Sequence, residues 1–337
     1  GKKRKGQVYC RSCYYRGFRS KKQSVSIKVK RLLSSFYGKY FEKYIIYIEN
    51  YKLLCYPFKL CRVCCIQYGT DKKIKDDERK GKYIMLLTDV AKVAEAAKNK
   101  AELCNNHFGK YFMRAVMAGF YIVVATILSN VSAAVLYSTY PQFGKLLGAF
   151  LFSLAIVLVV FLNGELFTGN NFVMAVGVYN KTVSVKDMVK VWVVSYVGNF
   201  VGAFLLSAMF VYSKASHAIM VDYYNSFIYS KISAGVPELL LRGILCNFLV
   251  CMAVLVGTKL KSESGKLIIM FCIIMSFVVA GFEHCIANMS TFSVGYMLLG
   301  NIGTVAVIKS MLAVTIGNIL GGAVLLGVPV QVMKAEH

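Results

Sequence analysis

The sequence predicts an all-α polytopic membrane protein with six spans, arranged as a 3+3 inverted repeat. Three observations lead to this prediction. The 337 residues are 57% hydrophobic with a mean hydropathy of +0.56, and several runs after about residue 112 exceed the roughly 18 apolar residues that mark a spanning helix. Two polar interruptions of these runs, 164–170 and 281–288, match each other. Two glycine–asparagine segments, 198–203 and 317–322, match at almost the same separation.

Each polar interruption has a glutamate followed five positions later by an asparagine. Glu165 precedes Asn170, and Glu283 precedes Asn288, 118 positions further along the chain. A polar break inside a membrane-length apolar run is costly, and it persists mainly where it is packed in protein or lines a pathway. Because it occurs at matching places in two halves, it predicts a transporter or channel built from repeats.

The apolar runs divide into six expected spans. Spans 2 and 5 contain the breaks and are too long for one helix, so each is expected to form two half-helices, with the second halves beginning near Asn171 and after Asn288. Each half of the chain has three spans, an odd number, so the second half enters the membrane in the opposite direction. Lysine placement predicts that both termini are cytoplasmic, in a multi-pass protein of the cell inner (plasma) membrane. The expected spans cover 112–138, 144–179, 187–213, 237–259, 266–299 and 306–333.

Residues 1–84 differ in composition from the expected six-span transporter domain at 85–337. They hold 23 of the 40 Lys and Arg residues but only 6 of the 16 Asp and Glu residues, and no apolar cluster among them reaches spanning length. Codons for residues 77–82 can form a purine-rich stretch like a ribosome-binding site. The hypothesis is therefore that Met85 is the natural start and that 1–84 is disordered or translated upstream sequence. The alternative is a basic arm that binds anionic lipid or a partner; no nucleic-acid partner is predicted.

His284 is the only histidine deep in an apolar span. An ionisable group there is costly and marks a pathway by default, and its unperturbed pKa of roughly 6.5 suits a proton donor or acceptor. Thr168 in the first break can offer a hydroxyl toward it. The half-helix N-termini would point N–H groups at the centre, which favours an anion. The alternative is that Thr168, Asn170 and Asn288 only satisfy the backbone of the breaks.

Other polar residues of the two breaks are expected to be structural. Carboxylates at Glu165 and Glu283 would repel an anion, so each should accept hydrogen bonds from the broken-helix backbone or pair with a cation. Gly169 belongs to the first break. No cluster of metal ligands accompanies His284, and no nucleophile–base pair is visible. The sequence therefore predicts neither a metal nor a cofactor, and it does not indicate an enzyme.

Segments 165–170, 242–251 and 281–288 resemble the formate/nitrite transporter family, and the resemblance extends from about residue 90 to 333. It implies an aquaporin-like protomer with broken helices 2 and 5, assembled as a homopentamer with one pore per protomer. The implied partners are membrane lipid, a proton and a small monovalent anion of the formate/nitrite class, with hydrosulfide or a short-chain monocarboxylate as alternatives. The Thr-Gly-Asn sequence at 168–170 is closer to nitrite- and hydrosulfide-type members than to formate-type ones.

The resemblance also implies residue roles. His284 is similar to the central pore histidine and Thr168 to the threonine that faces it. Lys231 and Asn247 resemble the lysine and asparagine credited with attracting anions and contacting the histidine region. Ile156 stands where some members have Leu or Phe, a departure that concerns the width of the inner gate. The implied constrictions are Phe152 and Phe277 on the outer side and Ile156, Leu166 and Phe167 on the cytoplasmic side.

A neutral-solute channel of the aquaporin type is the alternative of another class. It would place asparagines at both half-helix tips in an Asn-Pro-Ala setting. The chain has no proline between Pro141 and Pro237, so this setting is absent from the first break.

Overall fold

A computed structural model describes residues 71–300 and 302–334, with side chains from residue 89. The described part of the chain contains helices and no strand, which confirms the predicted all-α class. A π-helical segment, Leu320–Leu326, joins the last two α-helices. The α-helices are α1 (Asp71–Asn106), α2 (Phe108–Leu136), α3 (Pro141–Phe152), α4 (Leu154–Phe161), α5 (Phe167–Tyr179), α6 (Val185–Tyr212), α7 (His217–Ile232), α8 (Val236–Lys259), α9 (Glu263–Val279), α10 (Cys285–Leu299), α11 (Thr304–Ile319) and α12 (Gly327–Val332).

The expected spans correspond to these helices. By length and composition, five described stretches can cross a membrane: Phe108–Leu136, Pro141–Phe161, Val185–Tyr212, Val236–Lys259 and Thr304–Val332. The fifth expected span occurs as α9 followed by the shorter apolar helix α10. Spans 2 and 5 are therefore both broken, as the sequence predicts.

The second half-helices begin earlier than expected. They start at Phe167 and Cys285, not near Asn171 and after Asn288. The reason is that the two asparagine side chains turn back within the first helical turn. Asn170 donates to the Glu165 carboxylate over 3.3 Å, and Asn288 donates to the Glu283 carboxylate over 2.8 Å. The side chains of Asn170 and Asn288 therefore bind the glutamates, while the backbone of both residues is part of the helix.

Two close helix crossings organise the core. Helix α2 packs along α6, and α8 packs along α11. A Cβ atom at Gly202 would lie 2.1 Å from the Val116 carbonyl oxygen, and one at Gly321 would lie 2.2 Å from the Ile244 carbonyl oxygen. Only glycine permits this approach of the two backbones. The small-xxx-small spacing of the Gly-Asn segments predicts such packing.

Helices α1 and α7 each precede the first span of one half. Helix α1 buries one stripe, with Val90, Val93, Ala97 and Cys104 fully covered. Helix α7 was not expected, because it is too short to span a membrane. The sequence signal for it is the four-residue spacing of Met220, Tyr224 and Ile228, which are the buried side chains of this helix.

The predicted N-terminal segment 1–84 is described only in part. Residues 1–70 lie outside the described residues, and residues 71–84 belong to α1. Among the residues of α1 whose side chains are described, 89–106, the buried apolar stripe lies C-terminal to Met85. We therefore predict that a protein starting at Met85 inserts, assembles and transports like the full chain. Expression level, pentamer assembly and anion uptake of the two lengths are to be compared. Loss of assembly or flux in the short form would contradict the upstream-translation hypothesis.

Candidate functional site

Asn199 on α6 holds the first break in place. Its side-chain amide donates to the carbonyls of Ala115 and Glu165, at 2.8 and 3.0 Å, and its side-chain oxygen accepts the Phe167 N–H over 2.9 Å. The Glu165 N–H donates to the Arg114 carbonyl over 3.1 Å. Backbone groups freed by the helix break are thus satisfied inside the protein, as a membrane-embedded break requires.

Asn318 on α11 does the same for the second break. Its amide donates to the carbonyls of Gly243 and Glu283, at 2.8 and 3.0 Å, and its oxygen accepts the Cys285 N–H over 2.9 Å. The Glu283 N–H donates to the Arg242 carbonyl over 3.3 Å. The two breaks therefore have the same hydrogen-bond pattern, which places Ala115 and Gly243 at equivalent positions of the repeat.

Each break glutamate is paired with a lysine from the helix that precedes its half. Lys100 Nζ on α1 lies 2.5 Å from Glu165 Oε2, and Lys231 Nζ on α7 lies 2.8 Å from Glu283 Oε2. Lys231 also donates to the Asn288 side-chain oxygen over 3.0 Å. Of the two expected arrangements, pairing with a cation is the one observed. Neutralisation removes most of the repulsion that these carboxylates would exert on an anion.

His284 and Thr168 meet where the two half-helices begin. The Thr168 hydroxyl oxygen lies 3.0 Å from His284 Nε2, and both residues are buried. His284 Nδ1 accepts the Ala287 backbone N–H over 3.1 Å and caps α10. Since a backbone N–H can only donate, Nδ1 carries no hydrogen, and the neutral ring has its hydrogen on Nε2. The imidazole therefore presents an N–H toward Thr168.

Asn247 on α8 connects the two halves behind this contact. Its amide donates to the Thr168 carbonyl over 3.1 Å and to the Asn318 carbonyl over 2.6 Å. The thiol of Cys251, one turn later, also contacts the Thr168 carbonyl over 3.4 Å. Asn247 thus acts on the histidine region through the Thr168 backbone.

Aromatic rings stand beside the histidine. Phe152 and Phe277 pack edge to face with ring centroids 6.0 Å apart, and Phe277 stacks on the His284 ring at 6.1 Å. Ile156, Leu166 and Phe167 are buried in the same apolar cluster as these rings. None of those three lines the cavity that reaches Phe152, Phe277 and His284.

This cavity, which we call the basic cavity, has a volume of about 560 Å³. Three cations line it: Lys145, Lys231 and Arg242. The one carboxylate among its lining residues is Glu283, which pairs with Lys231, and Arg242 pairs with Glu238 outside the lining, so Lys145 carries the unpaired positive charge of the cavity. A cavity with this charge concentrates anions next to the histidine. Its wall between the helices is rich in side-chain oxygen and amide groups from Thr126, Ser129, Asn130, Ser226, Ser230 and Thr291.

Sequence reasoning missed three functional positions. Lys100 enters the prediction only through the lysine placement that indicates membrane orientation, and Asn199 and Asn318 only as members of the glycine–asparagine segments 198–203 and 317–322. The sequence could have pointed to the two asparagines, because Asn199 and Asn318 occur at matching places in the two halves. Among the described residues, no group of His, Cys, Asp and Glu could hold a metal ion.

Comparison with known proteins decides the family. Residues 88–332 match the family model described as formate/nitrite transporter. The chain belongs to the formate/nitrite transporter family. An uncharacterised transporter, YwcJ of Bacillus subtilis, is 30% identical over 244 residues, which cover 70% of this chain and 93% of that relative. The family match and this relative place the protein among membrane transporters.

Solved structures of the formate/nitrite transporter family share the fold. One, titled FNT family ion channel, has a TM-score of 0.67 at 26% identity and covers 72% of this chain and 97% of its own. Another, titled pentameric formate channel with formate bound, has a TM-score of 0.57 at 28% identity and covers 66% of this chain and 96% of its own. The predicted six-span architecture with broken spans 2 and 5 is confirmed.

Proposed function

We propose that this protein carries small monovalent anions of the formate/nitrite class across the cell inner (plasma) membrane, together with protons. Each protomer of a homopentamer would contain one pore, and both termini would be cytoplasmic. The observation that carries the proposal is the contact of His284 Nε2 with Thr168 at the end of the basic cavity. Family membership and a pentameric relative with bound formate support it.

The basic cavity and the phenylalanine rings act in opposite ways on an anion. Lys145, which has no ion pair among the described residues, raises its concentration in the cavity, whereas Lys231 and Arg242 are paired with Glu283 and Glu238. A bare charge between Phe152 and Phe277 would lose its hydration shell, and no polar group there would replace it. The free-energy cost would be on the order of several kcal/mol or more. The anion therefore crosses this constriction as its neutral acid.

His284 supplies the proton in this scheme. A proton from the cavity water adds to Nδ1, at the expense of the hydrogen bond from the Ala287 N–H, and gives an imidazolium. The imidazolium transfers its Nε2 proton to the anion, and the neutral acid leaves. Return of the ring hydrogen to Nε2 through water restores the Ala287 bond, so the ring is ready for the next anion. The transported molecule is otherwise chemically unchanged.

A flux panel tests the proposed function. The full chain is reconstituted in liposomes, and uptake of formate, nitrite, hydrosulfide and lactate is measured over a pH series. We expect uptake to rise as the pH falls on the side from which the anion comes, because the proton that His284 transfers to the anion is drawn from the water on that side. The Thr-Gly-Asn sequence at 168–170 favours nitrite or hydrosulfide over formate. Glycerol permeation without anion flux would instead support the aquaporin-type alternative.

Widening the phenylalanine constriction should change the size limit of the substrate. Phe277→Ala removes the ring that packs on Phe152 and His284, so larger monocarboxylates such as lactate should enter faster relative to formate. Phe271→Ala is a matched control on the same helix α9, since Phe271 packs on Phe150 and does not line the basic cavity. An unchanged ratio of lactate to formate uptake in Phe277→Ala would contradict this position for the constriction.

A further inference from the structure

A second, smaller cavity lies at the start of α2, beside the first break. It has a volume of about 410 Å³ and is open to the outside of the protomer. Lys110 and Arg114 stand one helical turn apart at one side of it, and the remaining lining is mostly apolar. We call it the α2 groove; its lining residues are Gly109, Lys110, Met113, Arg114, Met117, Tyr121, Leu162 and Asn163.

Arg114 is a charge within a membrane-spanning helix. It lies two residues inside the expected span 112–138, and its side chain is exposed on the surface of the protomer. A guanidinium that faces lipid there is costly unless it is paired or reaches the interface. Within the part of the chain that the structure describes, neither Arg114 nor Lys110 has an ion pair or a side-chain hydrogen bond. The α2 groove therefore holds two positive charges that lack a counter-charge.

The second half of the repeat shows how the equivalent arginine is neutralised. The asparagine bonds make Ala115 equivalent to Gly243, so Arg114 corresponds to Arg242. Arg242 forms an ion pair with Glu238, one turn earlier. The position equivalent to Glu238 is occupied by Lys110. In the first half, a second cation stands where the second half has a carboxylate, so the described chain offers Arg114 no equivalent ion pair.

We propose that the α2 groove binds the phosphate headgroup of an anionic phospholipid. Lys110 and Arg114 form a two-cation site for the phosphate, and Asn163 adds a side-chain amide to the lining of the groove. Met113, Met117, Tyr121 and Leu162 offer an apolar surface to an acyl chain, which a free inorganic anion does not possess. Basic pockets between spanning helices are suited to anionic headgroups, and long cationic side chains extend toward the membrane interface.

Native mass spectrometry of the assembled full chain tests this site. The protein is purified in the presence of phosphatidylglycerol or phosphatidylcholine, and retained lipid is counted. We expect the wild type to retain one more phosphatidylglycerol molecule per protomer than the groove variant Lys110→Gln/Arg114→Gln. Lys186→Gln/Lys261→Gln is the matched control, because it removes two exposed lysine charges elsewhere and should retain the lipid. Equal retention by the wild type and the groove variant would overturn the proposal.

Thermal unfolding distinguishes the other possible counter-charges. In the wild type, phosphatidylglycerol should raise the unfolding midpoint relative to phosphatidylcholine, and inorganic phosphate or formate should not reproduce the rise. If the free anions reproduce it, the groove binds a small anion and the lipid proposal is wrong. If the groove variant dissociates equally in both lipids, a carboxylate of a neighbouring protomer is the partner, and the proposal is again wrong. A variant that fails to fold leaves the wild-type comparison of the two lipids as the deciding measurement.

Discussion

His284→Phe should abolish the pH dependence of anion uptake and leave the pentamer assembled. The substitution removes the Nε2 hydrogen that faces Thr168 and the Nδ1 acceptor that caps α10. A phenyl ring can still stack on Phe277, so the constriction keeps its apolar packing. Loss of a helix cap costs about 1 kcal/mol, which a folded pentamer tolerates. Uptake of formate and nitrite by liposomes over a pH series, with size-exclusion analysis of the pentamer, measures both effects.

The control for this prediction is His217→Phe. His217 is an exposed histidine at the start of α7 and does not line the basic cavity, so its replacement should leave the pH profile unchanged. The proton-transfer scheme is wrong if His284→Phe assembles normally and takes up anion with the pH dependence of the wild type. That result would not exclude anion transport. The flux panel tests whether the protein carries an anion, and the His284→Phe variant tests whether His284 transfers the proton.

Lys231→Met should reduce anion uptake at least about tenfold. The substitution leaves the Glu283 carboxylate without its cation, in the lining of the basic cavity and 95% buried. Breaking a buried ion pair by removal of one partner costs on the order of 3–5 kcal/mol. The uncompensated carboxylate would repel the incoming anion beside His284. Initial uptake rates at fixed pH, normalised to the amount of assembled pentamer, measure the loss.

The structure predicts that a second substitution rescues this loss. Glu283→Gln in the Lys231→Met background removes the unpaired charge and still accepts the Asn288 amide through its side-chain oxygen. Uptake should return toward the wild-type rate. Lys145→Met is the matched control, because it removes a positive charge from the same cavity without exposing a carboxylate, and its effect should be smaller. A double variant as inactive as Lys231→Met would show that Lys231 attracts the anion itself.

Much of the framework could be predicted from residue order alone. The apolar runs predict spans because a bilayer imposes a minimum length and excludes unpaired backbone. The repeated Glu-x₄-Asn pattern predicts two equivalent breaks. The Gly202 and Gly321 crossings follow from the spacing of small residues. Helix α7 and the true starts of α5 and α10 could not be predicted, since they depend on side chains such as Asn170 and Asn288 bending back to a glutamate.

Residue order is enough to identify the family, the six apolar spans, the inverted repeat and His284 as the central ionisable group. Each of these features depends on local composition or on a repeated pattern. Such features can be recognised without knowing which residues are in contact. Three further facts depend on how the helices pack. Lys100 and Lys231 neutralise the break glutamates, Nε2 is the His284 nitrogen that faces Thr168, and Arg114 lacks the ion pair that its repeat equivalent has. These contacts join helices that are distant along the chain, and electrostatic and hydrogen-bond energies depend on distances that only packing sets.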